Sequence, residues 1–171
     1  VTFNGKSFDV PLLLTRYAQN RQRPALSVSH HLDLLHPSRR VWRERLESCT
    51  LGTLEAAVLG HERVRDVPSW MIPDLYFQYV RGASPEPMAR VFSHNLDDIL
   101  SLVTLAYQLG RLLDDVAADD HNAHDLYAAG RIFEDLGLVD VACDRYERAL
   151  TAGQNVAVRA QIAGRLAALC K

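Results

Sequence analysis

The first thirteen residues constrain the fold most, because they have the pattern of a strand, a turn and the start of a helix. The apolar run that begins at Val1 ends at Asn4-Gly5, a dipeptide that tolerates positive φ and is typical of a turn. Ser7 is predicted to cap the helix that follows, and Asp9 falls in its first turn, where the helix dipole favours a carboxylate. Since open α/β sheets place their sites at strand ends, the pattern predicts a carboxylate at the mouth of a sheet.

Length and composition indicate one domain, or one domain with a small appendage. The chain has 171 residues, of which 48% are hydrophobic, enough for a proper core. No apolar run approaches the roughly 18–20 residues of a membrane span, so no membrane partner is expected. The three cysteines, Cys49, Cys143 and Cys170, have neither disulfide nor metal-ligand spacing, and a cytoplasmic location is expected.

Charge is distributed unevenly. Residues 1–113 carry 13 Lys and Arg against 11 Asp and Glu, whereas residues 114–171 carry 6 against 10. A basic cluster of this kind can guide a phosphate backbone, or it can be an ordinary solvated helix face, and the sequence leaves both open. The cluster comprises Arg16, Arg21, Arg23, Arg39, Arg40, Arg43 and Arg45.

Hydrophobic spacing predicts a second strand over Ala25–Leu35 and a series of helices. Trp70 lies in a predicted loop and is a candidate for stacking on bases, whereas Tyr76 and Tyr79, at helical spacing, are expected in the core. The acidic stretch 114–122 is the predicted linker between residues 1–113 and residues 123–171. The predicted helices cover residues 10–19, 37–42, 51–59, 74–81, 85–113, two in hairpin order from 123, and 156–169.

The C-terminal segment resembles one tetratricopeptide repeat. Small and aromatic residues recur there at offsets of 7, 5, 4 and 3, which lets two helices cross closely while an aromatic ring fills the gap. An ordinary helical hairpin is the alternative. The matching positions are Gly130, Gly137, Ala142, Tyr146 and Ala149. Because one repeat cannot bury its own faces, it is expected to stack on neighbouring helices and to offer a surface for a protein partner.

A second carboxylate that can act with Asp9 occurs in His94-Asn-Leu-Asp-Asp98. His94 and Asp98 are four residues apart and therefore share a helix face. A carboxylate that holds a divalent ion, next to an imidazole that takes a proton from water, suits phosphoryl transfer. A surface ion pair is the alternative for His94 and Asp98, and a simple helix-start residue is the alternative for Asp9.

Several motifs in order resemble the YprB-like predicted 3′–5′ exonuclease family, within the DEDD exonucleases of ribonuclease-H-like fold. The resemblance covers about residues 1–107. It is carried by Asn4-Gly-Lys-Ser-Phe-Asp9, His31-Leu-Asp-Leu-Leu35, Ser38-Arg-Arg-Val-Trp42, Ser48-Cys-Thr-Leu-Gly-Thr-Leu-Glu55, Pro73, Tyr76 and His94-Asn-Leu-Asp-Asp98.

For residues 1–113 the resemblance implies an α/β fold, ribonuclease-H-like, and the helical hairpin predicted above follows it. It also implies hydrolysis of DNA or RNA by two metal ions, Mg²⁺ or Mn²⁺. By it, Asp9 and Asp98 are metal-binding catalytic carboxylates and His94 is the general base. Asn4 and Lys6 lie at the substrate end.

Two departures from the family pattern affect what is expected. Three residues separate His94 from Asp98 where His-type members have four, and no Asp-x-Glu precedes Asp9. We therefore expect the first strands to lie upstream of Val1 and the chain as given to be catalytically incomplete. An open sheet edge would then favour a homo-oligomer. A non-catalytic scaffold that binds nucleic acid or a protein is the alternative function.

Overall fold

The computed structural model describes residues 1–24, 30–64, 66–114, 121–153 and 156–169. Contacts divide the chain into two compact units. The first unit combines residues 1–49 with residues 106–171, and the second comprises residues 50–105. Residues 115–120 of the predicted linker lie outside the described residues, so the predicted boundary at 114–122 stays a prediction.

The α/β fold predicted from the sequence is wrong for the described residues, which are about 70% helical and contain no strand. In place of the two predicted strands there is one isolated parallel bridge between Thr2 and Asp33. A lone pairing cannot support a strand, because strands are stable only beside hydrogen-bonded neighbours on a packed face. Leu35 already begins a helix, and residues 25–29 of the predicted second strand are outside the described part. The predicted homo-oligomer stays a prediction.

The N-terminal segment of the first unit contains two helices, α1 (Asp9–Gln19) and α2 (Leu35–Trp42). The predicted turn is confirmed, since Asn4 has a φ of 64°. The predicted cap is wrong, since Phe8 precedes α1 and no side chain caps it. In α2 one face is buried, and Trp42 is only 2% exposed.

The rest of the first unit consists of the end of a long helix, α5 (Glu86–Leu113), and three helices, α6 (Ala123–Asp135), α7 (Val139–Ala152) and α8 (Val156–Leu169). The predicted hairpin is confirmed in α6 and α7. A Cβ atom added at Gly130 would lie 2.5 Å from Cε1 of Tyr146, so the helices approach closely at this glycine. Ala142, Tyr146 and Ala149 are fully buried, as the small and aromatic spacing predicts. The assignment of this hairpin as a tetratricopeptide repeat stays a prediction.

Two residues of the basic cluster pair with carboxylates of α6. Arg40 bonds to Asp135, and Nε of Arg45 lies 3.2 Å from Oδ1 of the buried Asp125. Burial raises the pKa of Asp125, although the positive charge of Arg45 opposes that rise. These residues therefore help to attach α2 to the hairpin, which is a structural role for part of the cluster.

The second unit begins with a short helix, α3 (Leu51–Leu54), which continues as a π-helical turn over Glu55–Leu59. Gly60 ends the turn in the left-handed conformation, as the sequence predicts for a helix stop. A 3₁₀ turn (Ser69–Met71) leads into α4 (Ile72–Val80), and α5 follows. Tyr76 and Tyr79 were expected in the core but are about half exposed, so that prediction is wrong.

Residues 86–105 of α5, which belong to the second unit, form an amphipathic helix whose apolar face is the exposed one. Its apolar stripe is exposed, with Phe92, Leu96, Ile99 and Val103 each retaining more than half of their accessible surface. On the opposite face lie His94, Asp98 and the buried Ser101. His94 and Asp98 contact side chains elsewhere in the second unit. Among the described helices, none is long and apolar enough to cross a membrane.

Candidate functional site

The structure places the predicted site residues in two sets. Asn4, Lys6 and Asp9 lie close together along the chain in the first unit, and all three are exposed. His94 and Asp98 lie one turn apart on α5 in the second unit, where their side chains are 11% and 35% exposed. Both side chains are therefore partly buried, and they contact other residues of the second unit.

The turn that precedes Asp9 is fixed by a buried carboxylate, Asp33. Its side chain accepts hydrogen bonds from the backbone N–H groups of Asn4, at 2.7 Å, and Lys6, at 2.9 Å. A third comes from the N–H of Leu35 at 3.2 Å. Burial by itself would raise the pKa of Asp33, but these N–H donors hold it below its ordinary value. Asp33 thus sets the conformation from which α1 and Asp9 begin.

Arg63 is the centre of the second set. Its Nε and one terminal nitrogen bind both oxygens of Glu55, at 2.6 and 2.5 Å. The same terminal nitrogen donates to Oδ1 of Asp98 at 2.5 Å. The other terminal nitrogen donates to Oδ2 of Asp66 at 3.2 Å and lies 3.0 Å from Nδ1 of His94. One guanidinium therefore contacts three carboxylates and the imidazole.

Electrostatics explain why Glu55 and Asp66 remain ionised in a partly buried place. Burial would raise the pKa of Glu55, but hydrogen bonds from Arg63 and Ser101 hold it below its usual value. Burial would likewise raise the pKa of Asp66, but His94 and the backbone N–H of Val67 stabilise the carboxylate and hold that pKa below its ordinary value. The hydrogen bonds to Glu55 raise the pKa of Arg63 in turn. The cluster is a network of charge-assisted hydrogen bonds.

His94 is oriented by Asp66. Its Nδ1 lies 2.7 Å from Oδ1 of Asp66, a group that can only accept a hydrogen bond when ionised. A proton on Nδ1 therefore satisfies the shortest contact and leaves the lone pair on Nε2. That Nε2 is 3.5 Å from Oδ2 of Asp98. The arrangement is that of a base whose tautomer is set by a carboxylate behind it.

Asp98 can offer one oxygen to a metal ion. Its Oδ1 is bound by Arg63, whereas Oδ2 has, among the described residues, only the 3.5 Å contact to His94. The side chain is about one third exposed. Carboxylate oxygens are the ligands that Mg²⁺ and Mn²⁺ prefer. Within the described residues, however, no group of three or more His, Cys, Asp or Glu side chains is arranged to hold a metal. The residues present thus fit a single ligand rather than a complete metal centre.

Reasoning from the sequence missed four members of this cluster: Glu55, Arg63, Asp66 and Ser101. Glu55 was included in a family motif without a role, and Arg63 lies beyond the stop at Gly60. Arg63 lies eight positions after Glu55, which on a continuous helix would place the two residues about 12 Å apart along the axis. Only the left-handed reversal at Gly60, with the His61 N–H bonded to the Glu55 carbonyl at 2.9 Å, brings them together.

Comparisons with known proteins identify the family. A family model of the RNase_H superfamily matches residues 1–110, which include Asp9, His94 and Asp98. The chain is 36% identical over 151 residues to the uncharacterized protein YprB of Bacillus subtilis (strain 168). That match covers 86% of this chain and 36% of the relative, so the chain spans little more than a third of the relative's length. No solved structure matches the chain. The chain belongs to the RNase_H superfamily.

Proposed function

We propose that the protein is a metal-dependent 3′–5′ exonuclease, to which this chain contributes Asp9, His94 and Asp98. Membership of the RNase_H superfamily supports a nuclease-like function in general. The observation that carries the finer proposal is the pairing on α5. A partly exposed carboxylate, Asp98, lies beside an imidazole, His94, whose tautomer is set by Asp66.

In this proposal the residues have distinct roles. Bound divalent ions would neutralise charge on the scissile phosphate, with Asp9 and Asp98 among their ligands. His94 accepts a proton from the attacking water at Nε2, and Asp66 stabilises the imidazolium that forms. Asn4 and Lys6 contact the substrate from the turn that Asp33 holds.

An exposed aromatic residue supports nucleic acid as the partner. Trp70 is 76% exposed in the 3₁₀ turn of the second unit. An indole ring in that position suits stacking on an unpaired base, which is worth about 1–3 kcal/mol per base. Replacement of Trp70 by Ala is therefore expected to weaken binding of a single-stranded oligonucleotide.

The test is an assay of the full-length gene product on 5′-labelled single- and double-stranded DNA and RNA, with Mg²⁺, Mn²⁺ or EDTA. We expect a ladder of products shortened from the 3′ end, and none with EDTA. Asp9→Asn and Asp98→Asn should each abolish the ladder. His94→Ala should slow it about 10²–10⁴-fold, the usual contribution of a general base.

Asp97→Asn is the matched control, because Asp97 is adjacent to Asp98 and is also half-buried. It should retain wild-type activity. Equal activity in wild type and Asp98→Asn would contradict the proposal and point to a contaminating nuclease. Oligonucleotide binding without cleavage under every condition would favour the non-catalytic scaffold instead.

A further inference from the structure

We infer that Arg63, anchored by Glu55, is a positioning residue that holds His94 and Asp98 in their working orientation. The inference rests on the proposed function, because it assigns Arg63 a role towards the residues proposed to be catalytic. Arg63 itself has no role in the sequence motifs from which those residues were chosen.

The anchor is buried and bound at two points. Glu55 has no exposed surface, and both of its oxygens are bound by Arg63, so the carboxylate defines the plane of the guanidinium. Ser101 donates a further hydrogen bond to Glu55 from α5. The Arg63 side chain is itself only 12% exposed. Such a fork-to-carboxylate pair has a single favourable geometry, unlike a pair between two flexible surface side chains.

The free edge of the same guanidinium reaches the candidate catalytic pair. It donates to Oδ1 of Asp98 and to Oδ2 of Asp66, whose Oδ1 accepts from Nδ1 of His94, so it restrains Asp98 directly and His94 through Asp66. Five N–H donors in one plane make this possible. A lysine ammonium cannot reproduce these contacts, because it is a single point charge without the planar fork.

Charge in the cluster still favours a cation. The buried Glu55 neutralises Arg63, which leaves the carboxylates of Asp66 and Asp98 as net negative charge around His94. Among the described residues, Oδ2 of Asp98 has a single contact, the 3.5 Å approach of Nε2 of His94. A carboxylate ligand that is hydrogen-bonded through its other oxygen is the usual arrangement around protein-bound metals. Arg63 is therefore placed to orient Asp98 without occupying the oxygen that would bind an ion.

The first test measures orientation directly, by NMR three-bond couplings across χ1 of His94 and Asp98. Wild type should show one rotamer for each side chain. The double variant Glu55→Gln with Arg63→Met removes the guanidinium without leaving a buried carboxylate unpaired, so it should fold and show averaged couplings. The single variant Arg63→Lys should also show averaged couplings, because lysine lacks the planar fork. Arg90→Met, at an exposed arginine one turn before His94 on α5, should match wild type.

The second test measures Mn²⁺ affinity of the full-length gene product by electron paramagnetic resonance, together with exonuclease activity. The double variant should bind Mn²⁺ about 10–100-fold more weakly, the usual effect of losing a group that orients a metal ligand. Single rotamers in the folded double variant would overturn the inference, and so would tighter Mn²⁺ binding, which would make Arg63 a competitor. Averaged couplings with no Mn²⁺ binding or cleavage in wild type would uphold the positioning role and refute the proposed function.

Discussion

The α6–α7 hairpin and the α5 segment of residues 86–105 are both helical, but they are stabilised by different interactions. In the hairpin, small residues let the helices approach until Tyr146 covers Gly130. In the α5 segment, the inward face carries His94 and Asp98 to Arg63, while apolar side chains such as Phe92 and Val103 remain exposed. The hairpin therefore depends on shape complementarity, and the α5 cluster depends on charge compensation.

The difference teaches where function is to be sought. A helix that turns polar residues inward gives up hydrophobic stabilisation, since burial of each large apolar side chain is worth about 1.5–3 kcal/mol. Such an arrangement persists when the polar groups satisfy one another, as Arg63 and Glu55 do. Natural proteins tend to depart from the usual sequence–structure preferences at functional sites. The cluster, and not the hairpin, is thus the better candidate for chemistry.

The largest effect is expected when the charge network is broken on one side. Arg63→Met leaves the fully buried Glu55 without its cation, and loss of one partner of a buried ion pair costs about 3–5 kcal/mol. Hydrogen exchange monitored by mass spectrometry should show faster exchange across residues 50–105 than in wild type. Exchange in α6 and α7 should change less.

Arg90→Met is the control for that measurement, because Arg90 is exposed. It should alter stability by no more than about 0.5 kcal/mol. If Arg63→Met exchanged as slowly as Arg90→Met, the network would not stabilise the second unit, and the contrast with the hairpin would fail.

An intermediate effect is expected when the packing of the hairpin is disturbed. Glycine to alanine in a helix interior ordinarily stabilises by about 0.5–1 kcal/mol. Gly130→Ala should instead destabilise by about 1–3 kcal/mol, because the new methyl overlaps the ring of the fully buried Tyr146. In α8, Gly164→Ala has open space around it and should show the ordinary stabilising sign. Urea unfolding of both variants checks the opposite signs.

Sequence reasoning succeeded where the structure depends on local pattern. The hairpin was predicted from the spacing of Gly130, Ala142 and Tyr146, and the shared face of His94 and Asp98 from their four-residue separation. Helical periodicity places such residues without knowledge of the rest of the chain. The left-handed stop at Gly60 followed from local chemistry in the same way.

It failed where partners distant in sequence decide the outcome. The apolar run at Val1 matches a strand, but a strand needs neighbours, and the described residues supply one bridge to Asp33. Tyr76 and Tyr79 have core-like spacing, yet nothing in their local pattern tells whether another element covers them. Arg63 was missed for the same reason, because its partners Glu55 and Asp98 are assembled by a reversal and a second helix.

The smallest effects concern pH, and they should differ in sign between the two regions. The pKa of Glu55 is lowered in the folded state, so below the ordinary glutamate value near 4.3 the unfolded chain binds more protons, and stability falls as the pH falls. The pKa of Asp125 is raised, so above the ordinary aspartate value near 3.9 the folded chain binds more protons, and stability falls as the pH rises.

Glu55→Gln and Asp125→Asn should therefore change the slope of unfolding free energy against pH in opposite directions. Each change is at most about 1.4 kcal/mol per pH unit, the limit for one proton. Urea unfolding at a series of pH values between 3 and 6 measures both slopes. If both variants changed the slope in the same direction, burial would not outweigh the positive charge of Arg45 in setting the pKa of Asp125.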